Sequence, residues 1–282
     1  MHSIDKLPTK VIGMPGEEYH RLKGFDSRSF ISAVAKGGGE VQQWMDAGNS
    51  LFSGNSATRR GSEFDQIVQG VCEGKTLAEQ IRVPPKEVLG SNGSRSTNAY
   101  KAWEAEQIGV IVCTQDQCEQ YSKMLDSLMA NSAARDLVEN TTETQVSVFF
   151  DLEGHRLKVR PDGCCQDRWW DLKTTSAKWD QLYRSVFDYG YGEQEWLYVN
   201  GAMAIGMGPF RMPFVFVQTA APYACHVYYL PHDYVAECGE RMLSTMELIR
   251  LRRATGEYLP LDHGEIRELE IPAWVRNKEE VY

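Results

Sequence analysis

Residues 160–175 read RPDGCCQDRWWDLKTT. RWWDLK (168–173) is short, aromatic and set off by turn residues, which predicts a β-strand. Strand side chains alternate, so Asp171 and Lys173 share one face while Trp170 and Leu172 share the other. The Trp170/Leu172 face is expected in the core. The Asp171/Lys173 face is expected to be open, since an unpartnered buried charge is costly. Asp162 is expected at the end of the preceding strand, with Gly163 to Asp167, cysteines included, as the turn. Neighbouring strands lie ~4.8 Å apart, close enough for both carboxylates to reach one cation. Two carboxylates, a backbone carbonyl and water make a hard oxygen site suited to Mg²⁺ or Mn²⁺. A lysine beside it suits a reaction that builds negative charge, such as attack of water on a phosphodiester. The competing reading is a surface hairpin whose Asp171–Lys173 pair is a weak ion pair.

Outward from that hairpin, TQVSVFF (144–150) and RLKVRP (156–161) read as strands separated by Glu-Gly and Asp-Gly turns. PFVFVQT (213–219) and ACHVYYL (224–230) are two more. A helix is expected from about Ser29 to Met45, interrupted by Gly37-Gly38-Gly39, and residues 46–61 as a loop. Phe64, Ile67, Val68 and Val71 make one apolar helical stripe. Residues 80–100 read as a long loop, and Thr114-x-x-Gln117 as the capping box of a second helix. A helical region follows over 177–205, and a last helix is opened by Pro231. Helix, three strands, helix, two strands, helix predicts an α/β fold with a central mixed sheet flanked by helices.

The chain has 282 residues, 42% hydrophobic and 24% charged, consistent with one large domain or two small ones that bury a real core. Seven cysteines without regular spacing argue against a secreted disulfide framework. With no apolar leader and no run of ~18 apolar residues, a cytoplasmic protein that does not enter the membrane is expected. The formal charge of −9 is unusual for a nucleic-acid binder, but a DNA track needs only a local basic strip. GVCEGKT (70–76) lacks one residue of a phosphate-binding loop and follows a helix stripe rather than a strand. Adjacent Cys164-Cys165 is not a redox Cys-x-x-Cys, and the late cysteines Cys225 and Cys238 lack the close spacing of an iron–sulfur site.

Pro161-Asp162 followed by Asp171-Leu172-Lys173 resembles the signature of the PD-(D/E)XK nucleases. The wider context, KVRPDG…WWDLKTT and then YGYGEQEWLY (189–198), is similar to phage recombination exonucleases of the exonuclease VIII (RecE) type. RRGSEFDQIV (59–68) sits where that family has Gly-x-x-x-His, with Asp65 at the histidine position, and SRSTNAYKAW (94–103) is similar to a family segment. The resemblance implies a restriction-endonuclease-like core over a single domain, 1–282, with 1–58 as an N-terminal accessory segment. It implies that Asp162 and Asp171 bind one or two divalent ions with the Leu172 carbonyl, and that Lys173 orients the attacking water. Gln194 and Tyr198, i and i+4 on one helix face, would position the nucleophile or the scissile phosphate. The third ligand is Asp65 or Glu63, and Glu143 is a further acidic candidate.

Arg59, Arg60, Lys178 and Arg184 are candidate phosphate contacts, and Trp169 is a candidate DNA contact. The implied activity is Mg²⁺-dependent 5′-to-3′ exonucleolysis of linear double-stranded DNA ends, leaving 3′ single strands for a single-strand annealing recombination partner. A homo-oligomer, with a ring as one form, is implied too. A restriction-type or structure-specific endonuclease, or a nuclease fold that binds without cutting, are the alternatives.

Overall fold

The computed structural model describes residues 4, 6–51, 56–260, 265, 266, 268 and 271. Its helices are α1 (Gly16–Arg21), α2 (Arg28–Asp46), α3 (Ser56–Cys72), α4 (Leu77–Gln80), α5 (Asn98–Ala105), α6 (Gln115–Ala130), α7 (Ser132–Glu139), α8 (Leu182–Asp188), α9 (Tyr191–Ala204) and α10 (His232–Thr255). Its strands are β1 (Thr9–Val11), β2 (Ile81–Arg82), β3 (Ile111–Val112), β4 (Glu143–Thr144), β5 (Ser147–Leu152), β6 (His155–Val159), β7 (Gly163–Cys164), β8 (Trp169–Thr175), β9 (Phe214–Gln218) and β10 (Cys225–Tyr228).

The central sheet has the order β10-β9-β8-β7-β4. β8 and β9 run parallel, joined by a crossover through α8 and α9, while the other neighbours are antiparallel. The sheet is mixed and flanked by helices, as expected. The three consecutive strands do not stay together, however: β5 and β6 pair with β1 in a second, three-stranded sheet. The chain leaves one sheet for the other at Gln145, which adopts φ 49 between β4 and β5. The expected strand over 144–150 is therefore broken in two.

One face of β8 carries Trp170 and Leu172, which join Val215 and Val217 under α3, α6 and α7 (Phe64, Ile67, Tyr121, Met124, Leu137). α3 comes close because Gly61 faces β8; a Cβ there would lie 2.9 Å from Thr174 Oγ1. The opposite core is filled by Trp169, Leu197, Met242 and Met246 with Val148, Phe150 and Leu157 of the second sheet. Trp169 is 2% exposed with its ring edge-on to Phe210 at 6.3 Å, so the expected DNA contact at this residue is corrected to a core role.

Several local expectations hold. Thr114 and Gln117 form the capping box of α6, and Pro231 precedes α10. The glycine run kinks α2 at Gly38 (φ 71), and Gly39 N donates to Leu259 O at 3.1 Å across the kink. Others are revised. α3 begins at Ser56, inside the expected loop, helped by the i,i+4 pair of Arg59 and Glu63. The 80–100 stretch contains β2, a 3₁₀ turn at Lys86–Val88 and the start of α5. GVCEGKT is the end of α3 and the capping box of α4, in which Lys75 pairs with Glu73 at 2.7 Å. No helix among the described residues is long and apolar enough to cross a membrane.

Candidate functional site

The site begins where β7 ends. β7 pairs with β8 only at Gly163↔Trp170 and Cys164↔Trp169, whereas β8 continues to Thr175 against β9. Gly163 and Cys164 are thus strand residues, and the turn is shorter than expected, closed by Cys165 N donating to Arg168 O at 2.8 Å. Glycine is required at 163 because a Cβ would collide with the Trp170 indole. Beyond Trp170 the β7-side edge of β8 is free of strand pairing, and Asp162 fills it: Leu172 N–H donates to Asp162 Oδ2 at 2.7 Å. In an extended strand a residue's N–H and C=O share one edge, so the Leu172 carbonyl lies on that edge too.

Asp171 is 2% exposed, not on an open face as expected. Its burial is compensated by two partners: the Lys173 ammonium, in an ion pair with Oδ2, and the Gln194 amide, which donates to Oδ1. Lys173 also lies 5.0 Å from the centroid of the Tyr191 ring, which holds the ammonium over an aromatic face. Gln194 and Tyr198 share the inner face of α9. Gln194 bonds Asp171, while the Tyr198 hydroxyl donates to the Arg160 carbonyl at 3.2 Å. Both therefore brace the acidic segments.

A third carboxylate comes from the opposite layer. Asp65, one helical turn beyond Gly61, joins Asp162 through Gln145, whose amide nitrogen donates to Asp65 Oδ2 and Asp162 Oδ1, each at 3.1 Å. Gln145 Oε1 in turn accepts from Arg160 Nε at 2.9 Å, and Arg160 Nη1 donates to Met14 O and Ser147 Oγ. Burial first, then the charge of Asp171, pushes the Asp65 carboxyl up to about 7. Burial, followed by Asp171 and Asp65, holds the Asp162 carboxyl well above the usual range. Three acids held against their mutual repulsion suit a cationic guest. Among the described residues no three or more His, Cys, Asp or Glu side chains close into a ligand cluster. The donor set that fits a divalent ion is Asp162, Asp171 and the Leu172 carbonyl edge, with water completing the shell, as Mg²⁺ prefers.

The remaining candidates lie elsewhere. Glu63 points away from this cluster, accepting from Arg59 at 2.9 Å and from the Tyr121 hydroxyl. Glu143, in β4, pairs with Lys10. Arg59 and Arg60 are exposed near the start of α3, and Lys178 and Arg184 are exposed before and within α8. Gln145 and Arg160 were not anticipated; nothing in a β-like run announces a residue that leaves the strand.

No protein-family model and no curated protein matches the chain. Among solved structures, the crystal structure of a "Putative exonuclease" from Eubacterium rectale superimposes with a TM-score of 0.63 at 14% identity, covering 94% of this chain and 98% of that one. At that identity the likeness speaks for the fold: the α/β architecture with its central mixed sheet is a restriction-endonuclease-like core. Protein VC1899 from Vibrio cholerae matches at a TM-score of 0.21 and 10% identity over 82% of this chain and 57% of that one, too remote to bear on the fold.

Proposed function

We propose that the chain is a metal-dependent deoxyribonuclease of the PD-(D/E)XK class, acting as an exonuclease on linear double-stranded DNA ends. The observation that carries this reading is the convergence of Asp65, Asp162 and Asp171 on the free edge of β8, with Lys173 paired to Asp171. The fold shared with the Eubacterium rectale protein supports it. A divalent ion held by Asp162, Asp171 and the Leu172 carbonyl would supply Lewis-acid stabilisation of the phosphoryl oxygens.

The chain's own residues do the rest. Gln194 fixes the Asp171 carboxylate, and Gln145 fixes Asp162 relative to Asp65. Tyr198 clamps the Arg160 carbonyl two residues before Asp162. Lys173 presents its ammonium to a non-bridging oxygen as water forms the new P–O bond and the bond to the leaving ribose oxygen breaks. The 5′-to-3′ direction, the exonuclease VIII-type recombination role, the annealing partner, a ring-shaped homo-oligomer and a cytoplasmic site of action complete the proposal by resemblance.

Incubation with linear and covalently closed circular duplexes, in Mg²⁺ or EDTA, tests it. Loss of linear DNA alone, abolished by EDTA and by Lys173→Ala, is expected. Cleavage of closed circles would move the reading to an endonuclease, and DNA binding without cleavage to a non-cutting nuclease fold. Terminal labels on the linear duplex give the direction.

A further inference from the structure

We infer that Tyr191 is a positioning residue: its ring face cradles the Lys173 ammonium and keeps it at the site when a divalent ion occupies Asp171. This deepens the nuclease reading and rests on it. Tyr191, Gln194 and Tyr198 stand at i, i+3 and i+7 on α9, so Tyr191 extends the helix face that already braces the acids.

Lys173 has two holds. Its ammonium pairs with Asp171 Oδ2 and lies 5.0 Å from the centroid of the Tyr191 ring. The first hold is contested. Asp171 belongs to the donor set that fits a divalent ion, and its Oδ1 already accepts from Gln194. The oxygen left for an ion is therefore the one that Lys173 occupies. A dication there competes for Oδ2 and repels the ammonium. The Lys173 side chain is only 19% exposed, and a buried charge without a partner is costly. With Asp171 as its sole partner, the lysine would swing out to solvent as the ion entered. An aromatic face attracts a cation without drawing on the carboxylate. Tyr191 is thus the hold that survives metal loading.

The ring is fixed in place. It is 8% exposed and backed by two phenylalanines of β9, stacked on Phe214 at 5.5 Å and tilted against Phe216 at 5.9 Å. Across the parallel pair β8–β9, Phe214 is the partner of Asp171 and Phe216 the partner of Lys173. Tyr191 therefore lies over the two rows that carry the acid and the lysine. The turn that delivers it is pinned as well. Gly190 opens α9 at φ 66, and α2 grips the carbonyls before it: Arg28 Nη1 donates to Tyr189 O at 3.0 Å and Lys36 Nζ to Asp188 O at 3.1 Å.

One test needs no DNA. In the full chain with isotope-labelled lysine, the Lys173 ε-methylene protons, assigned by their loss in Lys173→Arg, should resonate upfield in the Tyr191 ring current. They should stay upfield on passing from EDTA to Mg²⁺ and lose that shift in Tyr191→Leu. A second test is kinetic. Tyr191→Leu should lower kcat on linear duplex about ten-fold, or ~1.4 kcal/mol, within the range of a partly desolvated cation–π contact. KM and duplex binding in Ca²⁺ should not change. Tyr191→Phe should recover most of the loss. Fluorinated phenylalanines in place of Tyr191, close to Phe in shape but with a weaker negative face, should lower kcat step by step. If Tyr191→Leu fails to fold, the series from Phe to its fluorinated forms decides. Lys173 protons that leave their upfield position when Mg²⁺ is added, or a folded series with constant kcat, overturn the cradle and leave the nuclease reading intact. A wild-type chain that cuts no DNA overturns that reading and the kinetic role of Tyr191 with it.

Discussion

Replacing Asp65 by Asn should make the metal-free protein more stable at pH 8 and leave it unchanged near pH 4. The Asp65 carboxyl is raised from 3.8 to about 7 by burial and by Asp171. The folded chain therefore keeps a proton that the unfolded chain releases near pH 4. Across that window the native state binds more protons than the unfolded one, so stability falls as pH rises from about 4 to about 7. Three units at ~1.36 kcal/mol each set a ceiling of about 4 kcal/mol. Solvent at the strand edge and sharing of protons with Asp162 reduce this to about 1–3 kcal/mol. Asn keeps an oxygen to accept the Gln145 amide, so the substitution removes charge and little else. Urea unfolding in EDTA at pH 4 and pH 8 measures the difference. Adding Mg²⁺ at pH 8 should raise the wild type more than the variant. Equal destabilisation of the variant at both pH values would refute the reasoning, since the hydrogen bond to Gln145 would then outweigh the charge.

Lys173→Ala should lower kcat for linear DNA by on the order of 10²–10³-fold, measured by release of labelled nucleotide, with duplex binding in Ca²⁺ retained. Gly163→Ala, which drives a Cβ into the Trp170 indole, should lower stability by about 1–3 kcal/mol, read from thermal melts. Burial pushes the Glu195 carboxyl up to about 7 although Met212 N donates to it at 3.0 Å. The native state again holds the extra proton between about 4.5 and 7, so Glu195→Gln should gain up to about 3 kcal/mol at pH 8 and nothing at pH 4 in urea titrations.

The fold was legible in the sequence wherever local chemistry decided it. Period-two alternation put Trp170 and Leu172 in the core, and caps placed the starts of α6 and α10. What stayed hidden was non-local. Whether Trp169 meets DNA or Phe210 depends on which layer covers that face of β8. Asp171 looked as though it needed solvent because its partner Gln194 arrives from a helix 23 residues away. Asp162, Asp171 and Lys173 could be named from their spacing, but the choice between Asp65 and Glu63 could not. They lie two apart on α3, about 200° around the axis, and only packing at Gly61 selects the face that turns inward.

Gln145 stands where the chain steps from one sheet to the other, and its amide ties an acid from each side of that step. The spacing of the carboxylates is therefore a mechanical property of the seam, set by how the second sheet leans on the first. β1, β5 and β6 form a lever arm on that gap, anchored through Arg160 to Met14 and to Ser147 of β5. Cutting the Arg160–Ser147 bond of that arm, as in Ser147→Ala, is therefore expected to loosen the hold of Gln145 on Asp65 and Asp162.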